Sequence, residues 1–329
     1  MKSSFAKQYK RLLSVAAVTA VSLLPMARAS NLEPAGINLG FTSFLDGFGP
    51  TKPGFAYQGY LQYQHLNHIE DNGGNDVRNL VNPKIDATIF LNQLVYTTST
   101  TFFNGSAHLA WDVLVPVIHF DTSTGAGSMP MLSANNGVGD ITFGPYIQFD
   151  PVIRGGRPVF TQRFEFDLIA PTGRYNTSAL INPGSNFWSI NPYWAATVLP
   201  TPKTEITWRL HYLYNFSNND PGLPQTSRDK AGQAAWFNFA TSYAVTPNFN
   251  LGLNGYYFRQ FTNDTYRSSI PDIALLTGDT GKATIFAIGP GATWRPDPKN
   301  FLYVNVYDQV EVKNHTRGAL LNLRWIHSF

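Results

Sequence analysis

Ala319-Leu-Leu-Asn-Leu-Arg-Trp-Ile-His-Ser-Phe329, at the end of the 329-residue chain, alternates with a period of two. Ala319, Leu321, Leu323, Trp325, His327 and Phe329 fall on one side. Leu320, Asn322, Arg324, Ile326 and Ser328 fall on the other. One apolar face with aromatic ends and one mostly polar face describe a β-strand between two different solvents. A strand of this kind, closed by Phe329, suits an outer-membrane barrel, in which the last strand pairs with the first and abolishes the sheet edge.

At the other end, Lys2, Lys7, Lys10 and Arg11 precede an apolar run from Leu12 to Leu24, and Ala27-Arg28-Ala29 offers small residues for cleavage. This pattern predicts a secretory signal peptide over residues 1–29, cut after Ala29. The apolar run is too short for a spanning helix, which needs about 20 residues. Charged residues and aromatics are each 14% of the chain, so the charge is well below the usual quarter. A formal charge of +3 implies no nucleic-acid partner, and the absence of cysteine excludes a disulfide framework and thiolate metal sites. No downstream apolar stretch is long enough for a helical span, whereas barrel strands hide their hydrophobicity in alternate positions.

About twelve segments read as strands of a length that crosses a bilayer at a tilt. In the fifth, Phe160, Phe164, Phe166 and Leu168 oppose Arg163, Glu165 and Asp167. In the seventh, Ile206, Trp208, Leu210, Tyr212 and Tyr214 oppose Glu205, Thr207, Arg209 and His211. The apolar set must face hydrocarbon and the charged set the lumen. Long connections (65–84, 121–136, 171–186, 217–232, 262–283) alternate with short ones, and only the last long position, 313–317, breaks the series. Loops sorted in this way predict an all-β, antiparallel up-and-down transmembrane barrel of about twelve strands over residues 54–329. Residues 30–53, rich in Gly and Phe, read as an irregular lead-in or plug. Gly289-Pro-Gly291, Gly144-Pro145 and Asn191-Pro192 read as bulges or bends within strands.

Several motifs resemble a family of outer-membrane proteins of the meta-pathway of phenol degradation. They run in order: Gly137-Val-Gly-Asp140 with Pro145, Pro171-Thr-Gly-Arg-Tyr175, Asn182-Pro-Gly-Ser-Asn-Phe-Trp188, Gly252-Leu-Asn-Gly-Tyr-Tyr-Phe-Arg-Gln260, then Gly289-Pro290, Glu311, Asn314 and Arg317-Gly318. The fourth long loop departs from the family, since Gln225-Thr-Ser-Arg-Asp-Lys230 lacks an expected Ser-Gly step. The resemblance implies an outer-membrane channel admitting aromatic or apolar compounds.

The candidate lumen and selectivity residues are Arg163, Glu165, Asp167, Glu205, Arg209, His211, Asn254, Tyr256, Gln260, Tyr307 and Glu311. Opposite charges on neighbouring strands can constrict a pore or tie its wall together. Hydroxyls, amides and aromatic edges suit weak contact with a small solute. His65, His68, Glu70 and Asp71 carry metal-ligand chemistry but loose spacing, and read as a solvated loop. No catalytic constellation, cofactor fingerprint or metal site is expected. The implied partners are outer-membrane lipid, the barrel-assembly machinery through Phe329, and a small-molecule solute. The favoured function is passive uptake of small solutes. A non-conducting barrel whose long loops bind a ligand or surface partner is the alternative, and a soluble exported β-sandwich the third reading.

Overall fold

The computed structural model describes residues 34, 36–78, 80–128, 132–223, 225–270 and 282–329, so the expected signal peptide lies outside the described residues. Twelve strands form the wall. They are β1 (Gly54–Ile69), β2 (Lys84–Phe102), β3 (Ala107–Ser123), β4 (Ile141–Phe149), β5 (Arg157–Ala170), β6 (Ser189–Val198), β7 (Thr204–Asn215), β8 (Ala234–Thr246), β9 (Phe249–Gln260), β10 (Thr284–Asp297), β11 (Asn300–Lys313) and β12 (Thr316–Ser328). Each pairs antiparallel with its neighbour in sequence. β12 then returns to β1, from Ala56 opposite Ser328 to Ile69 opposite Thr316, and the cylinder is closed. The backbone ladder therefore has no free edge to present to lipid.

Alternation along the strands sorts the side chains as the sequence predicts. On β7, Leu210 is 49% exposed between Arg209 at 6% and His211 at 2%. Outside lie Phe90, Leu94, Trp111, Phe164, Phe166, Leu251, Val304, Leu323 and Trp325, the apolar coat of an outer-membrane barrel. Long connections gather on one rim, at 70–83, 124–140, 171–188, 216–233 and 261–283. Tight ones gather on the other, at 103–106, 150–156, 199–203, 247–248 and 298–299, and only the last connection of the first rim, 314–315, is also tight. We call these the outer and inner rims. The departing segment of the fourth long loop is ordered as a short strand, Thr226–Lys230, paired with Thr265–Ser268 of the fifth.

The proline-containing segments are not bulges. Register continues past Pro145 (Phe143–Leu168 to Tyr146–Glu165), past Pro192 (Ile190–Tyr214 to Tyr193–His211) and past Pro290 (Ile288–Asp308 to Gly291–Asn305). Each proline withholds an N–H without shifting its partner. The glycines before two of them serve a close approach instead: a Cβ on Gly144 would lie 2.1 Å from the Phe166 carbonyl oxygen, and one on Gly289 2.1 Å from that of Val306. The real bulge near this point is on β11, where Phe286 faces Glu311 and Ala287 faces Gln309, leaving Val310 unmatched. An extra residue reverses every side chain beyond it. Glu311 is therefore turned out of the lumen, contrary to its expected place, and stands exposed beside Lys313 at 3.5 Å.

Arginine in place of Leu210, at mid-depth on the lipid face, should cost about 2–4 kcal/mol of barrel stability. Leu210→Met should cost far less, and urea titration in detergent, followed by the electrophoretic shift of the folded barrel, measures both.

Candidate functional site in the barrel lumen

The lumen is occupied. The lead-in, residues 36–53, runs inside the wall from the outer half toward the inner rim, where β1 begins. Near its start, Asn38 accepts the Phe41 and Thr42 N–H groups on its side-chain oxygen, a local turn that holds the chain bent. The Asn38 carbonyl accepts the Trp236 indole N–H at 2.9 Å and the Asn238 amide at 3.0 Å. Gly40 adopts φ +80° with the rings of Tyr307 and Tyr256 closely beside it, a position that suits a residue without a side chain. Phe41 packs edge-on against Tyr60. Phe44, with no exposed surface, rests where Gly252 and Gly291 leave the wall flat; a Cβ on either would lie within 2.6–2.8 Å of its ring.

Below Phe44 comes Asp46, 4% exposed. Arg209 grips it side-on, with Nε and Nη2 donating to Oδ2 and Oδ1 at 2.6 and 2.7 Å. Arg324 Nη1 and Arg163 Nη2 stand 3.8 and 4.0 Å from Oδ1. Three strands, β5, β7 and β12, thus aim one guanidinium each at a single carboxylate. Tyrosines hold these guanidiniums from behind: Arg209 lies 4.2 Å from the Tyr193 ring, and Arg324 5.2 and 5.1 Å from Tyr60 and Tyr303. Such stacking fits the planar, weakly hydrated guanidinium better than it would fit lysine. Two further bonds fix the segment, from Leu45 N–H to Glu205 (2.8 Å) and from Gly47 N–H to Thr197 (2.9 Å).

Of the expected site residues, Arg163, Glu165, Asp167, Glu205, Arg209 and His211 are all buried and brought together. Glu165 pairs with Arg163 at 3.3 Å and accepts the Tyr193 hydroxyl. Its carboxylate, with those of Asp112 and Asp167, forms a group whose oxygens lie within 4.8 Å of one another. His211 stacks flat on Trp236, ring centres 4.3 Å apart, and shares a hydrogen bond with Asn191. Tyr256 and Tyr307 sit 5.6 Å apart in the outer half, where Tyr256 accepts the Gln309 amide. Asn254 is turned into the wall, donating to the Gly289 and Val306 carbonyls, and Gln260 bonds Asp264 at the outer rim. Glu311 takes no part.

Asp46, Arg324, Asp112 and Tyr193 belong to the site and were missing from the expected set. Arg324 was visible on the polar face of the last strand, and Asp46 is the only charged residue between Ala35 and Thr51. The loop histidines are dispersed: His65 binds Asp86, His68 binds Asp76, and Glu70 binds Arg317. The backbone N–H groups of Asn75 and Gly73 hold the Asp71 carboxyl below the usual carboxylate range.

The lead-in separates two cavities. The outer one, 150 Å³, is lined by Leu39, Leu66, Ile85, Phe120, Ile181 and Phe187 among others. The inner one, 570 Å³, has a basic lining, with Arg157, Arg163, Lys203, Arg295 and Arg324 against Glu205. Both Glu205 oxygens are already taken, by Leu45 N–H and by the Ser242 hydroxyl at 2.8 Å each.

Asp46→Ala leaves three buried guanidiniums facing no carboxylate from the lead-in, a loss on the order of 3–5 kcal/mol for such a pair. The barrel should persist while residues 36–53 come free. Hydrogen exchange should rise sharply in that segment and stay unchanged in β1–β12.

A family match accords with this architecture. The pattern of the family described as "Putative MetA-pathway of phenol degradation" matches residues 67–325. Among solved structures, the COG4313 outer membrane channel from Pseudomonas putida F1 superposes with a TM-score of 0.71 at 18% identity, covering 89% of this chain and 100% of that one. The transport unit of the autotransporter AIDA-I from Escherichia coli gives 0.43 at 10% identity, covering 84% and 89%. A deletion mutant of the TodX monoaromatic hydrocarbon channel gives 0.42 at 9% identity, covering 86% and 91%. No curated protein matches. The match over most of its length places this chain in the family described as the "Putative MetA-pathway of phenol degradation".

Proposed function

We propose that the protein mediates passive uptake of small solutes, aromatic or apolar ones among them, across the outer membrane, and that the lead-in governs passage from inside the lumen. The observation that carries this reading is the pair of cavities separated by the lead-in and the wall side chains packed on it. The similar barrel from Pseudomonas putida F1 is described as an outer membrane channel, which supports the same reading here. The apolar part of the outer cavity's mixed lining, Leu39, Leu66, Ile85, Phe120 and Phe187, would receive a hydrophobic body.

The same reading includes export by a signal peptide cut after Ala29, and delivery to the barrel-assembly machinery through Phe329 beside the closing strand. The filled lumen also favours a second reading, a non-conducting barrel whose outer loops bind a ligand. Those loops are cross-tied: Asp140 accepts the Gly173 and Ser185 N–H groups, and Asn135 donates to Asn182. Ion current separates the two.

In planar bilayers the full protein should pass small, brief currents, and deletion of residues 36–49 should raise conductance several-fold. Silence from both proteins, each shown folded by its heat-dependent electrophoretic shift, would leave the binding scaffold as the better account. Removing Phe329 should slow barrel assembly in pulse-chase labelling. An unaltered rate would deny that residue its assembly role.

A further inference from the structure

We infer that the inner cavity is a binding site for a small aromatic carboxylate, with Arg324 receiving the carboxylate, Arg163 adding its charge beside it, and Asp46 serving as its built-in competitor. The inference rests on the channel reading for its biological use, but not for its chemistry. Three observations carry it.

The first is a mismatch of charge. Three guanidiniums converge on Asp46, yet only Arg209 holds it at hydrogen-bond distance, Arg163 pairs with Glu165 at 3.3 Å, and Arg324 is left over. Among the described residues, Arg324 has no carboxylate nearer than the 3.8 Å to Asp46, and its Nε and Nη2 donate instead to the neutral Gln58 side-chain oxygen at 3.1 and 2.5 Å. A planar fork with a neutral partner still favours a carboxylate, which it can bind by two parallel charge-assisted bonds.

The second is placement. Arg163 and Arg324 both line the 570 Å³ cavity, and the chamber's other basic residues, Arg157, Lys203 and Arg295, add to its positive field toward the inner rim. Glu205, the one acidic residue among the described lining, is engaged by Leu45 and Ser242. Opposing walls of one sign concentrate anions. An anion there can reach Arg324 while Asp46 still holds Arg209.

The third is the rest of the lining. Leu45, Phe48, Phe301, Tyr303 and Ile326 surround the arginines, so the chamber offers apolar and aromatic surface next to fixed positive charge. Inorganic anions would use only the charge, and neutral aromatics only the surface. A ring bearing a carboxylate uses both. The lead-in presents the same chemistry to the same arginines, with Asp46 between Phe44 and Phe48.

Isothermal titration of the detergent-solubilised full chain with benzoate, and with its neutral isostere benzamide, tests the site directly. Benzoate should bind at least tenfold more tightly than benzamide. Asp46→Asn should strengthen benzoate binding several-fold relative to benzamide, because it removes the competing carboxylate and any change in the lining acts on both ligands alike. Arg324→Gln should weaken benzoate at least tenfold. Equal binding of the two ligands by the natural protein overturns the inference, and this comparison needs no variant to fold. So does Arg324→Gln with unaltered benzoate affinity, or an equal gain for both ligands in Asp46→Asn. Liposome swelling in benzoate tests the channel reading separately. Saturable binding without permeation would sustain the site and sink the channel, whereas permeation with no preference for the anion would do the reverse.

Discussion

Inside a bilayer no water is available to hydrogen-bond an exposed N–H or C=O group, and each unpaired one costs several kcal/mol. A sheet can enter hydrocarbon only if its first and last strands find each other. Here that requirement falls on the contact between β1 and β12, where thirteen residue pairs run from Ala56–Ser328 to Ile69–Thr316 with one irregularity near Leu66. Closure in turn fixes what each face can be. The period of two sends Leu321, Leu323 and Trp325 into lipid, and it sends Leu320, Asn322 and Arg324 into a space walled off from it.

That enclosed space has its own demands. A barrel of twelve strands leaves too little width for a broad aqueous bore once Trp236, Phe258, Tyr256 and Tyr307 point inward, and too much for side chains alone to fill it. The lead-in resolves this by packing Phe41 and Phe44 into the gap. Arginines buried within such a packed interior require carboxylates, which the wall and the lead-in share out: Glu165 serves Arg163, and Asp46 serves Arg209. Filling and pairing are thus one device, since the segment that supplies the phenylalanines also supplies the aspartate.

Most of the wall could be read from alternation, because each strand reports its own two faces without reference to any other part of the chain. Arg163, Glu165, Asp167, Glu205, Arg209 and His211 were recognisable on that ground alone. Asp46 was not, because an irregular segment has no period, and its partner Arg209 lies 163 positions away. Glu311 was misplaced by a bulge at Val310, a feature that depends on the neighbouring strand and leaves no mark in the local pattern. Gly144 and Gly289 could be recognised as special residues, but their reason, a backbone carbonyl 2.1 Å from a would-be Cβ, appears only after pairing. The cavities were beyond reach for the same cause: their volume is what the lead-in fails to fill.

The choice of an ion pair to hold the lead-in bears on how it can move. A purely apolar segment in the same place would depend for its depth on the Phe44 seat alone. The fork of Arg209 around Asp46 has one geometry, and the Phe44 seat at Gly252 and Gly291 lies only two residues away. Together they set a single register. A buried pair of this kind adds little net stability against its own desolvation, but it is costly to break by halves. The segment is therefore held in one position without being held strongly in total, provided that whatever displaces it leaves the guanidiniums paired. An incoming carboxylate meets that condition and a neutral solute does not. The lock inside this barrel can thus be opened by the same charge that it bears.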